Sequence, residues 1–251
     1  MAEQEIAKHT KNVISLVSRN EHGWRHKLSE VGMEIVTIVF AVSLSIWLHG
    51  WGEHRHEQEQ VRDFLLGLRS DLKGDLENIA EVEAYDHKLD ANYAYLIQLD
   101  PAAAPDPDKF PQAYDLTWSN IFFTPSTSRY EGFKSAGRLG NIENEALTSK
   151  MLELYEGDTK HIHYSETAWG HNQLVYQDYM EKAQEDGDES MARHYRLLTS
   201  LPVKRLLKHQ VAQAQLYQRY DTYAKRAREI IEEIEHEYPS YIKPEAPAPK
   251  V

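Results

Sequence analysis

The sequence predicts an all-α protein in which one transmembrane helix continues into a long helix that packs in an exported helical bundle. Three observations predict it. Residues 34–51, EIVTIVFAVSLSIWLHGW, form one long apolar run. The stretch that follows repeats apolar side chains at helical spacing and meets no Pro before Pro101. No segment alternates apolar and polar residues with period two, the pattern of a half-buried strand, and no internal repeat is visible.

The apolar run comes first. From Ile35 to Leu48 it holds only apolar or hydroxyl side chains, and nine of them are Ile, Val, Leu or Phe. Each of these favours insertion by about 0.3–0.6 kcal/mol near a bilayer centre. Widened to residues 31–51 it carries one charge, Glu34, and at about 1.5 Å per residue it reaches roughly 31 Å, matching a hydrocarbon core of about 30 Å. Thr37, Ser43 and Ser45 can return their hydroxyls to the preceding turn. Trp47, His49 and Trp51 cluster at one end, where membrane–water interfaces collect aromatic side chains. A cleaved signal peptide is a poorer reading, because HGWGE follows the run in place of a small-x-small cleavage site. The segment is expected to be an anchor.

Lys8, Lys11, Arg19, Arg25 and Lys27 precede the span, against Arg55, Arg62 and Arg69 just after it. The excess of cations places residues 1–30 in the cytoplasm. Five Lys+Arg and five Asp+Glu occur before residue 53, and 23 and 35 after it, so the whole formal charge of −12 belongs to the exported part. A domain this acidic is a poor partner for nucleic acid or anionic headgroups. The absence of cysteine excludes disulfides, thiol catalysis and Cys-ligated zinc.

Residues 1–30 form a short arm in which Ile6, Val13, Ile14 and Val17 share a helical face. It is either an interface-lying helix or a frayed amphipathic arm. After the span, Val61, Leu65, Leu68, Leu72, Leu76 and Ile79 make an unbroken stripe. One helix is expected to run to about Leu99, ended by Asp100-Pro101, with a loop PAAAPDPDKFP beyond it. A further helix starts near Asn141 or Asn144 and carries Leu147, Met151, Leu154 and Tyr155. Another spans about 160–185 with Trp169, Leu174, Tyr176 and Met180, and EDGDES breaks it. The last runs from about Val203 to Tyr238, with Leu207, Val211, Ala214, Ala224, Ala227, Ile231 and Ile234 inward. Residues 239–251 form a Pro/Ala-rich tail. The exported domain, residues 52–238, is long enough to hold its own core.

Two motifs carry a resemblance. G-x-E-I-V at Gly32–Val36, followed by the apolar run, W-G-E at Trp51–Glu53 and FLLGLRSDLKGDLENI, resembles a family of bacterial single-pass membrane proteins catalogued as a domain of unknown function. RYEGFKSAGRLGNIENEALTSKMLELYE, residues 129–156, is similar to that family's Y-E-x-L-K-S-x-G-x-L-x-x-I-x-N-x-x-L segment, with Tyr130, Lys134, Gly137, Leu139, Ile142 and Leu147 in matching places. Phe133 stands where the family more often has Leu. The resemblance implies an N-in anchor in the bacterial inner membrane and a periplasmic helical domain, and it implies no activity.

Candidates for chemistry are few. His54/His56 and His161/His163 are H-x-H pairs, but positions two apart on a helix point about 200° from each other. A metal site would need an extended segment or a third ligand such as His171. Ser165-Glu166 and Ser126-x-Ser128 lack the G-x-S-x-G context of an activated nucleophile. The carboxylate-rich runs EDGDE and EIIEEIEHE read as solvated faces. SAGRLGN lacks the Lys-Ser/Thr of a phosphate loop, and its glycines suit a helix end followed by a turn. No enzyme, cofactor or metal site is expected.

Interaction remains. Thr37, Ala41 and Ser45, spaced by four, line one face of the span, an arrangement that lets helices approach closely in lipid. Glu34, at the edge of the hydrocarbon, either complements the helix dipole or pairs with a partner's cation. The expected role is that of a non-enzymatic, membrane-anchored interaction protein, an accessory subunit or a homo-oligomer. Its expected partners are the bilayer and other membrane subunits, or its own copies, met through the transmembrane and stalk helices. The alternative is a periplasmic ligand- or stress-sensing regulator that acts through a partner protein.

Overall fold

The structure, a computed structural model, describes residues 21–184 and 187–242, and for residues 21–30 the backbone alone. The expected amphipathic arm around Ile6–Val17 and the tail beyond Ile242 lie outside these residues. Among the described residues every regular element is helical. The chain divides into two units, one ending at Glu59 and the other beginning at Gln60.

In the first unit the described residues are all helical. Helix α1 runs from Glu21 to Gln98 and contains a window of mean hydropathy 2.1, long and apolar enough to cross a membrane. Every residue from 31 to 56 is exposed. Apolar side chains such as Met33, Phe40 and Ile46 are each about two-thirds exposed. Among the described residues nothing covers this apolar run, and an exposed apolar surface of this extent marks a membrane or partner contact. The Thr37 hydroxyl donates to Met33 O at 2.8 Å, as expected of a hydroxyl in such a segment.

In the second unit the same helix acquires a buried seam. Val61, Leu65, Leu68, Leu72, Asp75, Ile79, Val82, Asp86, Leu89, Tyr93 and Leu96 are all buried. Their spacing alternates four and three without interruption, the heptad rhythm of a helix embedded among other helices. The expected stripe is therefore real but longer. Leu76 is displaced from its centre and only partly buried, because Asp75 holds the core position.

Short elements follow. Helix α2 (Lys109–Leu116) starts within the expected loop. Asp106 Oδ1 there accepts from the amides of Asp108 and Lys109, and Pro111 sits in the first turn, where its missing N–H is harmless. Residues 119–127 have no regular secondary structure. Helix α3 (Ser128–Ser135) ends at Gly137, whose φ of 72° supplies the left-handed turn that SAGRLGN suggested. Helix α4 (Glu145–Leu152) is capped by Asn144, whose side chain accepts from Leu147 N at 3.0 Å. It passes through a π-helical turn (Glu153–Asp158) straight into helix α5 (Thr159–Ala183).

The expected last helix is divided. Helix α6 (Met191–Thr199), capped by Ser190, is followed by α7 (Leu201–Lys208) and α8 (Ala214–Glu237), and residues 209–213 interrupt the helix. Val211 and Ala214, expected inward, are exposed, whereas Ala212 and Leu216 are buried. The interruption is made by tertiary hydrogen bonds. Asp90 accepts from Ala212 N at 2.7 Å and Tyr217 Oη at 2.8 Å, while Trp169 Nε1 donates to Gln210 O at 2.6 Å. Tyr241, just past α8, turns back to α1 and lies under the Arg62 guanidinium at 4.8 Å.

Two apolar clusters result. One joins Val61–Val82 of α1 to α3, α4, the start of α5 and α8. The other joins Leu89–Leu96 of α1 to α2, the later part of α5, α6 and α7. Asp86 falls between them on α1, and Glu166 falls between Ile162 and Trp169 on α5. A polar layer thus separates the two halves of the core. From Val61 onward the seam of α1 is buried inside the chain, against α8 among other elements.

Candidate functional site

The site grows from one helix and one irregular segment, residues 119–127. On α5, Ile162, Glu166, Trp169, Gln173, Tyr176 and Met180 are buried, again at spacings of four and three. Two of the six are polar. Both serve the 119–127 segment, which crosses the domain as non-helical backbone whose polar groups require partners. Glu166 Oε1 takes the Phe123 amide at 2.8 Å. Asp75 takes the Ser126 amide at 2.9 Å, and Asn78 Oδ1 takes that of Thr124 at 3.4 Å. Gln173 donates to Ser119 O at 3.3 Å and accepts from the Asn120 side-chain amide at 2.6 Å. Side chains from α1 and α5 therefore replace the neighbouring strand this segment lacks.

Between the segment and the adjoining face of α5 lies a cleft of about 810 Å³, within the range of small-molecule sites. Phe122, Phe123, Pro125, Ile162 and Leu174 line it, together with Glu166, His163 and His171. Gly170 lets the chains approach: a Cβ there would stand 3.3 Å from the Phe122 ring, which packs edge-on against Trp169. Leu174, expected inward on α5, is 65% exposed and belongs to this cleft instead of the core.

Glu166 is the charged group at its base. It is 5% exposed, and Tyr220 Oη donates to the same Oε1 at 2.7 Å. Burial raises its pKa, against the lowering effect of these two donors and of nearby His163. Asp86, fully buried, stands behind, and neither of its oxygens has a hydrogen-bond partner. Burial, then repulsion from Asp90 and Glu166, raises its pKa to about 7. In its neutral form Asp86 leaves no unpaired charge in the polar layer. Asp75 differs: the Ser126 amide and Tyr223 Oη, at 2.6 Å, satisfy it.

The residues expected to matter in the span lie elsewhere, on α1 of the first unit. Thr37, Ala41 and Ser45 share one stripe and are exposed, as are Glu34, Trp47 and Trp51. The Arg55 guanidinium covers the Trp51 ring at 5.1 Å. Of the histidine pairs, His163 reaches the cleft along with His171, whereas His161 and the His54/His56 pair do not line it. Among the described residues no group of three His, Asp or Glu side chains is arranged to hold a metal ion. Ser165 bonds to Arg219 of α8.

In the sequence, Glu166 stands out only as the neighbour of Ser165. The signal that marks it is register, since Glu166 and Gln173 continue the four-three stripe of Ile162, Trp169 and Tyr176. No family model matches the chain, and neither a curated protein nor a solved structure matches it.

Proposed function

We propose that this chain is a membrane-anchored binding protein: residues 31–51 hold it in the bacterial inner membrane, and its helical domain takes a small ligand on the periplasmic side. The observation that carries the reading is the 810 Å³ cleft, apolar on its walls and closed at its base by a buried carboxylate. Such a combination of apolar surface with a few convergent polar groups is the usual make-up of a ligand site. The reading is of binding without reaction. Glu166 is engaged by a backbone amide and a tyrosine hydroxyl, which hold it in place and provide no nucleophile–base pair. This gives more weight to the regulator than to the purely structural subunit.

The ligand test is direct. Thr167 is exposed and lines the cleft, so Thr167→Trp fills it without entering the core. Small molecules released on denaturing the full chain, purified in its native lipid, are compared by mass spectrometry. A species retained by the wild type and lost from Thr167→Trp is expected. Equal release from both proteins sinks the reading.

Orientation rests on the cation excess before the span and on the family resemblance. An alkaline-phosphatase reporter, active only outside the cytoplasm, should be active when fused after Val251 and silent at the N-terminus. The opposite pattern overturns the placement.

A second role has its own support. Thr37, Ala41 and Ser45 are exposed along one face of α1, a surface suited to a second membrane helix. Through it the protein would join a membrane complex as an accessory subunit, or pair with its own copy, and a ligand-dependent effect would reach a partner there.

A further inference from the structure

We propose that the cleft selects an organic cation, a protonated amine carried on an apolar body, with the Glu166 carboxylate as its counter-charge. The inference rests on the binding reading above and names the ligand class. Charge is the first argument. Among the described residues no Lys or Arg lines the cleft, His163 and His171 are its basic side chains, and Glu166 is its one acidic lining residue. The domain as a whole carries the chain's −12 as well. A ligand carboxylate or phosphate would meet Glu166 with no lysine or arginine to offset the repulsion.

Valence is the second argument. Both hydrogen bonds to Glu166 fall on Oε1. A carboxylate accepts about four hydrogen bonds, and Oε2 has none among the described residues. An ammonium N–H can supply one as a charge-assisted bond. The fixed Oε1 holds the carboxylate in a single orientation, so the free oxygen needs no reordering when the ligand enters.

Shape is the third. The Phe122 ring is 39% exposed and lines the cleft along with Phe123 and Ile162. These side chains offer apolar contact to the ligand's body, and an aromatic face attracts a cation as well.

The test uses the full chain in phosphatidylcholine nanodiscs, with empty discs as the blank. Calorimetric titrations compare 4-phenylbutylamine, 4-phenylbutanol and 4-phenylbutyrate, which share a body and differ in charge. The amine should bind at least tenfold more tightly than the alcohol, and the carboxylate should give no saturable heat. Glu166→Gln keeps an oxygen for Phe123 N and Tyr220 Oη. It should lower amine affinity at least tenfold and leave the alcohol unaffected. Thr167→Trp, which retains the carboxylate and changes an exposed site, should abolish amine binding even if Glu166→Gln folds poorly. Alcohol or carboxylate binding as tight as the amine, or unchanged amine affinity in a folded Glu166→Gln protein, overturns the cation. The binding reading then survives only if Thr167→Trp still removes the bound probe. If no probe binds, or if Thr167→Trp changes nothing, both fall.

Discussion

Leu72→Asp is expected to destabilise the helical domain by about 5 kcal/mol, a large share of the roughly 5–15 kcal/mol that holds a domain together. Leu72 is completely buried in the seam of α1, in the cluster shared with α8. Truncating its burial removes about 2–3 kcal/mol. The new carboxylate adds the penalty of an unpaired charge in an apolar site. It would also stand one turn from Asp75, already buried and already supplied with its two donors. Urea unfolding of the full chain in detergent, followed by far-ultraviolet circular dichroism, measures the change. A midpoint within experimental error of wild type would mean that this seam is not the core of the domain.

Asp86→Asn is expected to act in the opposite direction, and only at high pH. Its carboxyl is raised from 3.8 to about 7 in the fold, so the folded protein keeps this proton where the unfolded chain has lost it. The contribution of Asp86 is therefore fully present below about pH 4 and is lost as pH rises to about 7, for a total on the order of 4 kcal/mol. Asparagine cannot ionise and escapes the loss. Thermal melts should show the variant clearly more stable than wild type at pH 8, with the advantage shrinking toward pH 5. Burial raises Glu166 in the same sense and lowers His194 in the other. His194 is present in both proteins and cancels in the comparison, while the variant also relieves Glu166 of its repulsion from Asp86, which adds to the gain at high pH. A gain of equal size at both pH values would show that Asp86 does not titrate as its burial requires.

These two residues also show what the sequence reveals and what it hides. Val61, Leu65, Leu68 and Leu72 are legible because four apolar side chains at helical spacing mark the buried face of a helix. The stripe is legible as far as Ile79, with Leu76 in place of its true member, because Asp75 has the look of solvent-facing charge. For the same reason Asp86 conceals the continuation through Leu89, Tyr93 and Leu96. A carboxylate in the core is recognisable only by its register, and its donors come from far away: Tyr223 is 148 residues from Asp75. The end of α1, the cap at Asn144 and the turn at Gly137 are legible because each is local chemistry. The break at residues 209–213 is not, since HQVAQAQ contains neither Gly nor Pro and opens only because Asp90 and Trp169 hold its backbone. The cleft is invisible for a related reason. Its wall, residues 119–127, has no periodicity, and the Glu166 contact that shapes it bridges 43 residues.

The pairing of α1 with α8 has a kinetic side. Asp75 waits for Tyr223, Arg69 bonds to Glu235 across 166 residues, and Arg62 meets Tyr241 across 179. The apolar seam from Val61 to Val82 is among the first parts of this domain to be synthesised, and the residues that cover it are among the last. Closing such long loops is slow, and the side chains awaiting closure are prone to aggregate. A chain translated from its N-terminus must therefore keep this seam shielded, as a chaperone would, until α8 has emerged. A truncation just before Ala214 would leave the same surface open for good, and a nascent chain stalled at that point should be found in the grip of a holdase.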